Sequence, residues 1–157
     1  MTGLQILPLH HSKAPAFLRQ SIGDASVSLI YVNVDNFKTF NDFNGLPMGD
    51  ALLQAVAAVL RALLPAGATA YRIGGDEFLG VLPNRSHEQA IQIAEAIRQG
   101  VAQIELDAYG KWTATSPGVT LGVSSSSDLD WDALQLIQQA DEANWKGKKA
   151  GKNRVSS

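Results

Sequence analysis

The sequence contains no cysteine. Disulfides, thiolate nucleophiles and cysteine-ligated metals are therefore excluded. Long apolar runs are missing too: the longest, Ala55 to Leu60, has six residues, whereas a membrane-spanning helix requires about 20. Met1 to Gln20 holds Pro8, His10, His11, Lys13 and Pro15 where a secretory leader would have an apolar core. Neither sign of charge predominates. The 13 basic and 15 acidic residues leave a net charge of -2, which argues against a general polyanion binder. The 6 prolines and 14 glycines follow no period, so a collagen-like or low-complexity chain is excluded. Apolar side chains, by contrast, make up 45% of the 157 residues, which excludes disorder. That length fits a single domain over residues 1–157, burying roughly two-thirds of its unfolded surface. The expectation is a soluble, cytoplasmic domain with no membrane segment.

Val27 to Val34 (VSLIYVNV) is β-branched and nearly all apolar, which predicts a buried strand. Phe37, Phe40 and Phe43 then recur at three-residue spacing and predict a short helix whose aromatic face belongs to the core, ended by Gly45-Leu46-Pro47. Asp50 to Leu64 predicts a longer helix, with Leu52, Leu53, Val56, Val59, Leu60, Leu63 and Leu64 on one stripe, stopped by Pro65 and Gly67. Ala70 to Ile73 and Phe78 to Leu82 predict two strands around Gly74-Gly75-Asp76-Glu77, a hairpin signal because glycines accept the positive φ of a tight turn. Ser86-His87-Glu88-Gln89 is a capping-box pattern, and Ala90, Ile93, Ala94, Ile97 and Val101 carry a helix onward. Val119 to Val123 predicts a further strand, Ser124 to Ser127 a loop, and Trp131 to Lys146 a last helix before the basic tail Lys148 to Arg154. Glu105 to Val119 is poorly determined, with room for a short strand pair around Trp112. The fold class is α+β: a mostly antiparallel central sheet covered by helices.

Four clusters have chemistry to offer. Asp76 and Glu77 put two carboxylates beside a glycine backbone, a pattern suited to a hard cation holding a phosphate, though an ordinary polar turn has the same composition. Asn33 and Asp35 stand at the end of a buried strand, where alternation sends both to the same face, and Asp35 could equally cap the helix that follows. Asn41 and Asp50 could converge on a base edge, with the carboxylate accepting from an N–H/NH₂ pair, while Asp50 could instead cap the long helix. Lys146, Lys148, Lys149, Lys152 and Arg154 could bind triphosphate oxygens, or form a solvated helix end favoured by the dipole. The lack of interleaved aromatics in that tail speaks against nucleic acid. His10, His11 and His87 show no ligand spacing with acids, and there is no Ser/His/Asp arrangement or Walker-type loop.

In order and spacing the clusters resemble the GGDEF family, the diguanylate cyclases. Tyr71-Arg72-Ile73-Gly74-Gly75-Asp76-Glu77-Phe78 is similar to the family signature. Thr2-Gly3-Leu4 resembles the end of D-x-L-T-G-L, and Asn33 through Asp50 resembles D-x-D-x-F-K-x-x-N-D-x-x-G-H-x-x-G-D. Thr120-Leu121-Gly122-Val123 resembles S-I-G-V, and Ala140 through Val155 resembles A-D-x-A-L-Y-x-A-K-x-x-G-R-N-R-V. The resemblance implies a palm-like fold with a ferredoxin-like core, as in nucleotidyl cyclases. It also implies condensation of two GTP into cyclic di-GMP and two pyrophosphates, across a homodimer, with Mg²⁺ or Mn²⁺.

Carried over by position, the resemblance makes Asp76 a metal ligand with Glu77 beside it as a second acid, and adds the carbonyl of Val34 and the side chain of Asn33 to the metal. Asn41 and Asp50 would read the guanine edge. Gly74 and Gly75 would let the nucleotide approach the turn, and Phe37, Lys38, Lys148 and Lys152 would lie along the phosphates. The sequence departs from the family pattern in several places. Asn33 replaces a metal-binding aspartate, so a neutral amide stands where a charge is expected and metal affinity should fall. Leu46 replaces His, Asn144-Trp145 replaces Leu-Tyr, and Lys152 replaces Arg with loss of bidentate contact. Pro65 and Ala68 occupy the R-x-x-D of the family's inhibitory product site, which is thus expected to be absent. Two functions follow: a diguanylate cyclase with a weakened metal site, or a catalytically inactive module that binds GTP or a protein partner and acts as a regulator. No sensor or coiled-coil segment is recognisable.

Overall fold

A computed structural model of the chain describes residues 5–23, 25–105, 117–126 and 131–157. Thr2-Gly3-Leu4 and the segment around Trp112 lie outside the described residues. In chain order the elements are β1 (Ile6–Pro8), a 3₁₀ turn (His11–Lys13), α1 (Ala14–Ile22), β2 (Val27–Val34), α2 (Phe37–Asn44) and α3 (Leu46–Leu63). Then come β3 (Thr69–Arg72), β4 (Glu77–Pro83), α4 (His87–Ala102), β5 (Val119–Ser125), α5 (Ala133–Ala150) and β6 (Val155–Ser156).

The six strands form one sheet in the order β1-β3-β4-β2-β5-β6. The inner pairings β3–β4, β4–β2 and β2–β5 are antiparallel, as expected, while the short outer strands β1 and β6 add parallel edges and make the sheet mixed. β2 is nearly all apolar because both of its faces are covered. Val27, Leu29 and Tyr31 pack with Leu18 of α1 and Leu136 and Ala140 of α5. Ile30, Val32 and Val34 face the other way, onto Leu52, Val56 and Leu60 of α3 and Ala94 and Ile97 of α4. Each such fully buried aliphatic side chain contributes about 1.5–3 kcal/mol.

α3 begins before Asp50, since Pro47 sits in its first turn, where its missing N–H costs nothing. Its length of 18 residues and mean hydropathy of 1.4 would suffice for a membrane span by composition, yet its stripe is the one packed into the core. Leu63, placed on the stripe by periodicity, is 38% exposed. α4 starts on the expected capping box, Ser86 with Gln89. α5 runs past Lys146 to Ala150, so Lys148 and Lys149 belong to its last turn. It lies close on β5 because Gly122 has no Cβ to meet Ala140 O and Asn144 N. Asn144, buried, donates through Nδ2 to Tyr31 O (3.1 Å) and Thr120 O (2.8 Å), binding α5 to β2 and β5. Ser124 and Ser125, expected in a loop, end β5 instead: Ser124 Oγ donates to Leu136 O at 2.7 Å, and Ser125 Oγ lies 2.8 Å from Ser28 Oγ.

Candidate functional site

The hairpin between β3 and β4 is closed by Ile73 N–H donating to Glu77 O at 3.0 Å. Arg72 holds the turn from outside, with Nε donating to Gly74 O at 3.2 Å and Nη2 to Gly75 O at 2.7 Å. Neither Gly74 nor Gly75 adopts the left-handed conformation expected of them. Their lack of a side chain serves space instead. The Glu77 side chain lies over Gly74, 3.3 Å from where a Cβ would be, and Gly75 faces open space on its side-chain side. The turn is tied to the end of β2, where Val34 N–H donates to Asp76 O at 3.0 Å.

Asn33 and Glu77 are cross-strand partners, so their side chains leave the same face of the sheet. Tyr31, two residues before Asn33, donates its hydroxyl to Glu77 Oε2, and His11 Nε2 lies 3.8 Å from the same oxygen. Burial first, and then the Glu77 carboxylate, push the Tyr31 phenol well above its ordinary range. The Asn33 amide, the Val34 carbonyl and the Asp76 carboxylate, at the junction of β2 and the turn, are the groups that could hold a cation. Among the described residues no group of three or more His, Asp or Glu is arranged to hold a metal. One carboxylate with two neutral oxygens fits a hard divalent ion in company with phosphate oxygens, as magnesium sites usually do, but not as a free-standing cage.

Both helix-capping alternatives are overturned. The residue before α2 is Asn36, left-handed at φ 55° and without a side-chain cap, and the residue before α3 is Gly45 at φ 89°. Asp50 is therefore an exposed side chain inside α3, free of a capping role, and it lines a cleft of about 460 Å³ with Leu53, Ala57, Arg72 and Phe78. That cleft joins the acid of α3 to the strands flanking the signature turn. Asn41, on α2, packs its amide against Cα of Gly49, the residue before Asp50, and only glycine leaves room there. Asn41 Oδ1 is buried and has no hydrogen-bond partner among the described residues. An orphaned amide oxygen costs about 1–3 kcal/mol, so this one is suited to a ligand donor. Phe37 is packed partly against the core and Lys38 is exposed. The aromatic face is less continuous than its spacing suggested, since Phe40 is buried but Phe43 is 71% exposed.

The basic tail reaches the same end of β2. Lys148 Nζ lies 3.4 Å from Asp35 Oδ1, and Lys152 Nζ donates to Asn36 Oδ1 at 2.5 Å. The structure thus brings Val34, Asp76, Lys148 and Lys152 to one end of the sheet, with Asn41 and Asp50 on the adjoining helix pair. The contacts of Tyr31, His11, Asp35 and Arg72 had no counterpart in sequence reasoning. Thr120, for example, is 85 residues from its partner Asp35, and no local spacing signals such a contact.

The family model described as "Diguanylate cyclase, GGDEF domain" matches residues 11–154. A curated relative, Diguanylate cyclase VdcA of Vibrio cholerae, is 36% identical over 131 residues, covering 82% of this chain and 38% of that protein. The chain therefore spans little more than a third of such a relative. The structure of the active GGEEF domain of a Vibrio cholerae diguanylate cyclase superposes with a TM-score of 0.79 at 30% identity, covering 97% of each chain. The diguanylate cyclase SiaD of Pseudomonas aeruginosa, solved in complex with its activator SiaC, gives a TM-score of 0.81 at 25% identity, covering 93% of this chain and 57% of that one. By the reach of the family model and the agreement in fold, the chain belongs to the GGDEF family of diguanylate cyclase domains.

Proposed function

We propose that this chain is a single cytoplasmic domain that condenses two GTP into cyclic di-GMP, working as one half of a homodimer. In each of two steps a ribose 3′-oxygen bonds to the α-phosphorus of the other nucleotide, the bond to pyrophosphate breaks, and the hydroxyl proton is released. The observation that carries this is that Asp50 lines the cleft while the buried amide oxygen of Asn41 packs on Gly49, the residue before it. Asp50 is an exposed carboxylate that can accept from guanine N1–H and N2–H₂, and Asn41 has an amide oxygen without a donor among the described residues.

The base so held would send its triphosphate towards Gly74 and Gly75, where the backbone is bare, and towards Phe37, Lys38, Lys148 and Lys152. Asp76, the Val34 carbonyl and Asn33 would hold a Mg²⁺ or Mn²⁺ ion, which when bound supplies charge neutralisation and a lowered hydroxyl pKa. Glu77 stands beside them as a second acid, oriented by Tyr31. What these residues contribute is chiefly alignment of the two reactants.

One observation favours a second function. Asn33 brings no charge to the metal site, which suits a regulator that binds GTP or a protein partner without turnover. Capture of a protein partner has a parallel in the relative solved with its activator. Incubation with GTP and Mg²⁺ or Mn²⁺, followed by chromatography, separates the two. Cyclic di-GMP and pyrophosphate support the enzyme; bound but unconverted GTP supports the regulator.

A further inference from the structure

Asp35 follows β2 directly, and its side chain is only 5% exposed. Its Oδ1 accepts from Thr120 Oγ1 at 2.6 Å, at the start of β5, and lies 3.4 Å from Lys148 Nζ in the last turn of α5. Its Oδ2 accepts from the Asn153 N–H at 2.9 Å, and its own N–H donates to Gly118 O at 2.9 Å. The packing is tight: a Cβ on Gly118 would lie 3.3 Å from Oδ2. The turn that presents Asn153 is unusual, because Lys152 (φ 64°) and Asn153 (φ 47°) are both left-handed, a conformation that residues other than glycine rarely adopt. Such a turn persists where its surroundings hold it. Here the holding contacts are the Asp35 carboxylate, the Lys152 N–H to Gly147 O bond at 3.0 Å, and the Lys152 amine on Asn36.

We infer that Asp35 is a positioning residue, which fixes Lys148 and Lys152 at the end of β2 as a preformed cradle for a triphosphate. The inference rests on the nucleotide function proposed above. An opposing account gives Asp35 the role of a competitor that occupies Lys148 until phosphate displaces it. The two differ in sign. Removing a positioning carboxylate weakens triphosphate binding, whereas removing a competitor strengthens it.

The test uses the intact chain with Asp35→Ala and Asp35→Asn. Without ligand, amide exchange at Asn153 is compared with exchange in the β2–β5 ladder. Calorimetry then measures GTP, inorganic triphosphate and guanosine. The expected result is exchange at Asn153 faster by about tenfold or more in both variants with the ladder unchanged, and a loss of about tenfold in GTP and triphosphate affinity in Asp35→Ala. Asp35→Asn keeps one acceptor oxygen and should lose less, and guanosine binding should not change. Unaltered exchange at Asn153, tighter triphosphate binding in both variants, or a parallel loss for guanosine each overturns the inference. If the wild type binds inorganic triphosphate but not GTP, the proposed function falls and the cradle stands. If it binds both and the variants match it, the cradle alone falls. If it binds neither, both fall.

Discussion

The Val34 N–H donates to the carbonyl of Asp76 across 3.0 Å, so the signature turn is fastened to the end of the central strand one residue after Asn33. This bond brings the turn that carries Asp76 to the end of β2 beside Asn33, although the two are far apart in sequence. Arg72 braces the turn from the other side. In the metal set proposed above, the missing charge falls at a position that the backbone holds firmly, and the consequences can be tested one by one.

Guanine nucleotides should bind in preference to adenine nucleotides. Adenine presents an acceptor at N1 and would leave the Asp50 carboxylate unpaired, and each unsatisfied group of this kind costs about 1–3 kcal/mol. Asp50→Ala should weaken GTP by about tenfold or more while ATP changes little. Separate titrations of GTP and ATP measure this; equal affinities for the wild type would take Asn41 and Asp50 out of the site.

Cyclic di-GMP should have no tight site beside the signature turn. Pro65 and Ala68 form a simple backbone turn, with Ala68 N–H donating to Pro65 O at 3.1 Å, and neither offers a charged clamp for a phosphodiester. Calorimetry with cyclic di-GMP on the wild type and on variants of Asp76 and Asp50 checks it. A micromolar or tighter site that survives both substitutions contradicts the expectation.

Tyr31→Phe should change the alkaline stability. The phenol is held protonated in the folded protein, while the unfolded chain ionises near pH 10, so the protein loses stability as pH rises above about 10. The variant lacks that loss. At neutral pH it should be less stable by about 1–2 kcal/mol, because Glu77 loses a donor. The gap should then narrow by up to about 1.4 kcal/mol per pH unit in the alkaline range. Urea unfolding of both proteins at neutral and alkaline pH reads it directly, and a gap independent of pH would remove the Tyr31–Glu77 contact from the account.

The parts of the fold legible in the sequence were those with a strong local pattern. β2 is apolar on both faces, and α4 opens on a capping box, so each declared itself within a few residues. β1 and β6, of three and two residues, exist only by pairing with β3 and β5, and carry no pattern of their own. Asp50 was open to a capping role because Gly45-Leu46-Pro47 looked like a break, whereas proline starts α3 as readily as it ends α2. The site residues came into view through motif spacing. Their supports did not: Tyr31, His11 and Asp35 act through partners that folding alone brings near.

The measurement closest to the central claim compares Asn33 with Asn33→Asp for Mg²⁺-dependent GTP binding and cyclic di-GMP formation. The side chains are nearly isosteric, so β2 should pack unchanged. A carboxylate about 4 Å from a divalent ion adds about 8 kcal/mol of gross attraction at an effective dielectric near 20, much of it offset by desolvation. The account predicts tighter Mg²⁺-dependent binding and raised or restored product formation in Asn33→Asp. No gain in either quantity, with circular dichroism showing an intact fold, would mean that Asn33 is not at the metal and that the assignment of site residues along β2 is out of register.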